Sequence, residues 1–294
     1  MRVTNLMMTN NLNNNLNRNM RRLDQVQTWL STTKRINRPS DDPSGIVNTL
    51  RYTSYITESE VYLNKISEAR NFMNSTDSAL ANVTDILHRA HELTIEGVNG
   101  TSSVAAREAI AAEIRQLQEQ IGVIANTTFG SKHIFAGTNV TEAPLQSGAW
   151  TGNDDHMNLE IGVGTTVPIN STIGEVFFNT DPTNPGIYQM LEKIATDLEN
   201  GDVTQMNLDM ELIQGKLDAI IKERATIGAK VNRLDLQENR LGSTSINYEQ
   251  LLSDNQDADM AEVIMQLKIQ ENVYRASLAA GARIIQPSLV DFLR

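Results

Sequence analysis

The chain contains no cysteine, which excludes disulfides, thiolate metal sites and a cysteine nucleophile. Aromatic residues make up only 5% of it against 40% hydrophobic residues in all. That composition favours long helices over a compact, aromatic-rich enzyme core. No stretch approaches the ~20 apolar residues that cross a bilayer. The start, "MRVTNLMMTNNLNNNLNRNMRRL", lacks the continuous apolar run of a cleaved signal peptide, so any secretion is expected to use a route without one. Positive charge is scarce too: the net charge of −11 opposes binding to nucleic acid.

The charge is unevenly spread. Arg2, Arg18, Arg21, Arg22, Lys34, Arg35 and Arg38 face only Asp24 in the first 38 residues, so a basic head precedes an acidic body. A basic amphipathic start permits a second reading, a secreted helical protein that meets a membrane or a receptor. The many Asn residues weaken the apolar face that a membrane would require.

Reactive constellations are missing as well. His88 and His91 lie three apart, but no further ligands are marked, and His156 beside Asp154 and Asp155 reads as a solvated turn. "GVG" at 162–164 is too short for a dinucleotide fingerprint and reads as a hairpin turn. "DNQDADM" at 254–260 lacks the glycine and the glutamate of a calcium loop, and reads as the cap of a helix. With no nucleophile, base and oxyanion donor to name, the expectation is a protein that is no enzyme, with no catalytic residue, cofactor or metal.

What the sequence does carry is helical periodicity. Leu12, Leu16, Met20, Leu23, Val26 and Leu30 form a narrow seam of the coiled-coil kind near one end. Val263, Leu267, Tyr274, Leu278, Ile285 and Leu289 form its counterpart near the other, with Gln270 in one slot. Such seams have no core of their own, and the Asn cluster lowers helix propensity. Both ends are therefore expected to be disordered in the free monomer and to fold on association. These twelve residues are the candidate assembly interface.

Further in, Ile213, Leu217, Ile220, Arg224, Ile227, Val231, Leu234, Glu238 and Leu241 alternate spacings of four and three. Residues 46–96 and 104–125 also read as helices, whereas Gly and Pro crowd 137–187 and short alternating runs there read as strands. The expected fold is mainly α: a long discontinuous helical rod or coiled coil from both termini with a small β-rich inserted domain. Its parts would be terminal segments 1–40 and 255–294, a helical rod 41–140 and 187–254, and an outer insertion 141–186.

One loop divides the first seam from the rod. In "KRINRPSDDPSGIV" (34–47), Pro39 and Pro43 stop a helix, and Ser40, Asp41, Asp42 and Ser44 can satisfy the free amides of a new one. Pro39, Ser40, Asp41, Asp42, Pro43 and Gly45 are thus expected to set turn geometry.

"STTKRINRPSDDPSG" (31–45), "FGSKHIFAGTNV" (129–140), "IGAKVNRLDLQENRL" (227–241) and "DADMAEVIMQLKIQENVYRASLAAGARIIQPSLVDFL" (257–293) together resemble the bacterial flagellin-like axial proteins. The resemblance covers nearly all of both helical halves. It implies a secreted, extracellular structural protein of the flagellum, exported through the flagellar type III apparatus, whose terminal segments line the inner tube and whose insertion faces outward. "NRPSDDPSG", "FAGT" and "PSLVDFLR" depart from filament flagellin toward the subunits of the hook-filament junction, with a flagellin subunit as the alternative. The implied partners are hook-associated protein 1 on one side, flagellin on the other, further copies in an axial ring, and an export chaperone that holds the C-terminal segment.

Overall fold

The computed structural model describes residues 5–98, 103–146 and 148–285. Helices occupy the stretches poor in Gly and Pro: α1 (Asn5–Thr32), α2 (Pro43–Val98) and α3 (Val104–Ala125). Three two-stranded antiparallel hairpins follow, β1 (Thr128–Phe129) with β2 (Lys132–His133), β3 (Leu145–Gln146) with β4 (Ala149–Trp150), and β5 (Asn158–Gly162) with β6 (Thr165–Pro168). The chain then forms the single turn α4 (Gly174–Phe177), α5 (Ile187–Asn200), α6 (Val203–Gln256) and α7 (Met260–Ile285). The expected class, long helices from both ends around a small strand-containing middle, is what is found. Strand structure begins at Thr128, earlier than residue 141, because Gly130 takes a left-handed φ of 61° that turns the first hairpin.

The chain divides into two units, residues 1–58 with 244–294, and residues 59–243. In the second unit the core is a set of heptad stripes. Ile66, Met73, Leu80 and Leu87 of α2 are buried, as are Ile114 and Ile121 of α3, Ile187, Leu191, Ile194 and Leu198 of α5, and Ile213, Ile220, Ile227 and Leu234 of α6. The two polar slots of the α6 repeat are accounted for by ion pairs with α2. Arg224 Nε lies 2.8 Å from Asp77 Oδ1, and Glu238 pairs with Arg70. Beside this aliphatic core sits a small aromatic one: Phe177 packs on Phe135 with ring centroids 4.8 Å apart, and on Trp150 at 6.2 Å.

Asp209 of α6 is wholly buried in this unit. Its Oδ1 accepts from Lys193 Nζ at 2.9 Å, while its Oδ2 and the buried Oδ2 of Asp197 have no donor. Burial raises the Asp209 carboxyl above the usual range, the Lys193 ammonium opposes that rise, and the neighbouring Asp197 adds to it. A raised folded-state value means stability that is present in acid and lost as pH climbs from the ordinary carboxylate value of about 4 through the raised one. Thermal unfolding of Asp209→Asn is therefore expected to lose that part of the pH slope, and an unchanged slope would contradict the raised value.

Candidate assembly site

In the first unit α1 and α7 pack against each other antiparallel. Their facing residues are set by two direct contacts: Asn19 Nδ2 donates to Ser277 Oγ at 3.0 Å, and a Cβ placed on Gly281 would lie 2.8 Å from Leu12 Cδ2. Among the less exposed positions one set recurs at alternating spacings of four and three, Leu12, Leu16, Asn19, Leu23, Val26 and Leu30 on α1, and Val263, Leu267, Gln270, Tyr274, Ser277 and Gly281 on α7. This is the repeat that a pair of helices needs to keep one face together.

The seam differs from the sequence expectation at two levels. Met20 is 57% exposed and Leu278 46% exposed; Asn19 and Ser277 occupy the seam beside them. The expectation gave each level to its most apolar candidate, which breaks the alternation of four and three. The helix keeps the alternation, and the Asn–Ser bond makes the polar choice tolerable. Val26 and Val263 are buried at 5% and 4%, and Leu12, Leu16, Leu23, Leu30, Leu267 and Tyr274 are half-buried. Leu289 and the side chain of Ile285 lie outside the described residues.

The segments that break the helices are stitched together. Arg35 N donates to Gln256 O at 2.7 Å and Ala258 N to Thr33 O at 3.0 Å, and Lys34 pairs with Asp257 in an antiparallel bridge. Asn255, which the sequence did not single out, ties three segments of this joint. Its Nδ2 reaches Gly45 O at 2.8 Å and Thr49 Oγ1 at 2.9 Å, while its carbonyl accepts from Arg35 Nη2 at 3.0 Å. An Asn in a helical run carries no periodic signal, so only the fold reveals it.

Within the loop each acid has a task. Asp41 Oδ2 accepts from the amides of Asn37 and Arg38 at 3.1 and 2.9 Å, closing the turn before Pro39 and Ser40. Asp42 Oδ1 accepts from Ser44 and Gly45 at 3.1 and 2.9 Å, which caps α2, with Pro43 at the first helical position where its missing amide costs nothing. Gly45 is needed for space: a Cβ there would come within 2.4 Å of Ile36 Cδ1, and Ile36 is only 1% exposed. At the other break Asp259 Oδ1 accepts from Ala261 and Glu262 at 2.9 and 3.2 Å and caps α7.

Thr33, just past α1, has φ 58°, a left-handed conformation that is costly for a β-branched residue. It aims the carbonyl of Thr33 at Ala258. Thr33→Gly is expected to relieve about 1 kcal/mol and raise the denaturation temperature of the assembled chain by a few degrees. A fall instead would mean that the Thr33 Oγ1 bond to the Thr32 carbonyl, 2.6 Å long, outweighs the strain.

Among the described residues no three His, Asp or Glu gather to hold a metal. No described helix is long and apolar enough to cross a membrane. What the arrangement offers is an incompletely covered helix pair. The descriptions "bacterial flagellin N-terminal helical region" and "bacterial flagellin C-terminal helical region" match residues 3–140 and 210–293. The chain belongs to the bacterial flagellin family. Flagellar hook-associated protein 3 of Escherichia coli (strain K12) is 24% identical over 276 residues, covering 85% of this chain and 86% of that protein. The flagellar filament 30.7 kDa core protein of Treponema maltophilum is 26% identical, covering 88% of each. Among solved structures, a flagellar hook-associated protein of Vibrio parahaemolyticus shares the fold with a TM-score of 0.67 at 19% identity, over 74% of this chain and 100% of that one. Flagellar hook-associated protein 3 of Legionella pneumophila does so at 0.64 and 15% identity, over 69% and 97%. Family membership makes the chain a structural component of the bacterial flagellum, which assembles with other flagellar components.

Proposed function

We propose that the chain is a non-enzymatic adaptor that joins hook to filament by axial polymerisation coupled to folding. The observation that carries this reading is the half-covered seam. Val26 and Val263 are buried within one chain, but Met20, Ile264, Ile269, Val273 and Leu278 on the same two helices remain 40% exposed or more. Ordering a helix costs roughly 1–2 kcal/mol per residue, and each apolar side chain that a neighbour covers returns about 1.5–3 kcal/mol. Neighbouring subunits therefore complete what the pair begins. In the free monomer both ends are disordered, and hydrogen exchange on the soluble chain should find them unprotected.

In this proposal residues 1–40 and 255–294 line the inner tube, 41–140 and 187–254 form the helical rod around it, and 141–186 face outward. The adaptor lies between hook-associated protein 1 and flagellin in a ring of its own copies, and an export chaperone holds residues 255–294 before secretion. A pull-down with residues 250–294 should recover that chaperone; recovery of no host protein would count against it. Relatives of both kinds, junction and filament, share the fold family, so the choice rests on "NRPSDDPSG", "FAGT" and "PSLVDFLR". Immunogold labelling of intact flagella distinguishes the two readings. Gold confined to a short zone at the base of the filament supports the adaptor, and gold along the whole filament makes the chain a flagellin.

A further inference from the structure

Trp29 is half-buried near the end of α1, where it lines a cavity of about 250 Å³ between that helix and the loop that follows. The charged groups around the cavity are Asp24 on α1 and Arg38 and Asp41 of the loop. Asp41 accepts the amides of Asn37 and Arg38 with Oδ2, so its Oδ1 stays available. Among the described residues neither Asp24 nor Arg38 makes an ion pair. The two share a cavity without closing it. Two carboxylates against one guanidinium leave the site one cation short, and an indole wall beside free carboxylates suits a second guanidinium, which stacks on the ring and forks onto the acid.

The chain itself carries a matching cation. Arg18, Arg22, Gln25 and Trp29 are spaced by four, three and four, which sets them on one face of α1. That face is separate from the α7 seam, to which α1 gives Leu16, Asn19, Leu23 and Val26. Arg18 and Arg22 are exposed and, among the described residues, make no ion pair. Arg22 does not line the cavity of its own chain; it stands seven residues before Trp29, about 10 Å along the helix axis. A neighbouring copy that points the same way and is shifted by that distance brings its own Arg22 level with the indole.

We infer that the Trp29 cavity is a contact between copies of this chain: it receives Arg22 of a neighbour, whose guanidinium lies on the indole and pairs with Asp24 and Asp41. The contact joins two different patches, so it does not close on a pair of chains but repeats from copy to copy, as a ring or a helical array requires. It gives the basic head, which the seam leaves unused, a partner of opposite charge. The inference rests on the self-association proposed above, and not on the choice between junction and filament.

The test is a charge exchange in full-length chains expressed in the host. Arg22→Asp sets a third carboxylate against the two in the cavity, and Asp24→Arg sets cation against cation; each is expected to lower incorporation into flagella about tenfold. The double variant inverts both partners, since the cavity then holds two guanidiniums and one carboxylate while the neighbour offers a carboxylate. Its incorporation is expected to return to within about threefold of the unaltered chain. Residues two apart on one helix do not face each other, so this rescue reports a contact between copies. Normal incorporation of the single variants, or a double variant that stays as low as they do, would overturn the proposal. A second readout uses Arg22→Lys, which keeps the cation: a carbodiimide should couple the new ammonium to Asp24 or Asp41 of the next chain and give a ladder of covalent multiples beyond that of the unaltered chain. No added ladder, or linkage to neither aspartate, would contradict the contact. Glutaraldehyde separates the two levels of the argument. Unaltered copies that it joins while neither readout moves would overturn this contact alone, and unaltered copies that it leaves single would overturn the self-association as well.

Discussion

Leu267→Asp is expected to abolish incorporation of the chain into flagella while leaving the helical content of residues 59–243 intact. Leu267 is a half-buried seam residue of α7 at the level of Val26, which is 5% exposed. Among the described seam residues there is no cation to pair with a carboxylate there, and closing neighbouring subunits over it would strip its remaining water. An uncompensated charge in such a place costs about 3 kcal/mol or more, roughly a hundredfold in the pairing equilibrium of each subunit. In the proposed ring every copy carries the lesion, so the losses multiply along the assembly. Leu267→Met, which conserves volume, should cost less than about 1.5 kcal/mol and assemble normally. Normal filament attachment in Leu267→Asp cells would remove the seam from the account.

Phe177→Ala should have the opposite profile, with a large loss of stability and little effect on incorporation at low temperature. Phe177 is 1% exposed and lies between Phe135 and the Trp150 indole, which stacks on it within 8° of parallel. Truncation removes the centre of the aromatic cluster that organises the hairpins, at a cost of about 3–5 kcal/mol. For a unit of this size that corresponds to a fall of roughly 6–20 °C in the unfolding temperature, measurable by the fluorescence of Trp150. A fall of only a degree or two would mean that the hairpins are held by their neighbours' aliphatic contacts and not by the cluster. The two variants together separate what folds the chain from what assembles it.

Long periodic elements were legible in the sequence because burial enforces their period. The α6 repeat from Ile213 to Leu241 could be read to the residue, and even its two polar slots had a physical partner waiting on α2, Asp77 for Arg224 and Arg70 for Glu238. The turn at 34–47 was legible for another reason: Pro, Asp and Gly have few uses, and Asp42, Pro43 and Gly45 serve here as cap, first helical residue and close-packed spacer. The seam was legible in kind but not in detail. Choosing Met20 over Asn19 and Leu278 over Ser277 follows from ranking residues by hydrophobicity, whereas the fold ranks them by position on the helix and then satisfies them. Asn255 was invisible, since its value lies in three long-range hydrogen bonds that no local pattern announces. The hairpins were readable where strands alternate, in β5 and β6, and not where strands of two residues depend on a glycine turn.

The most direct measurement is deletion of this chain in its motile host, with electron microscopy of the cells and an assay of flagellin in the medium. An adaptor between hook and filament requires cells bearing bare hooks while flagellin accumulates outside as monomer, because export continues but attachment fails. Loss of that flagellin itself, with the junction proteins still exported, would show that the chain is the filament subunit and contradict the adaptor.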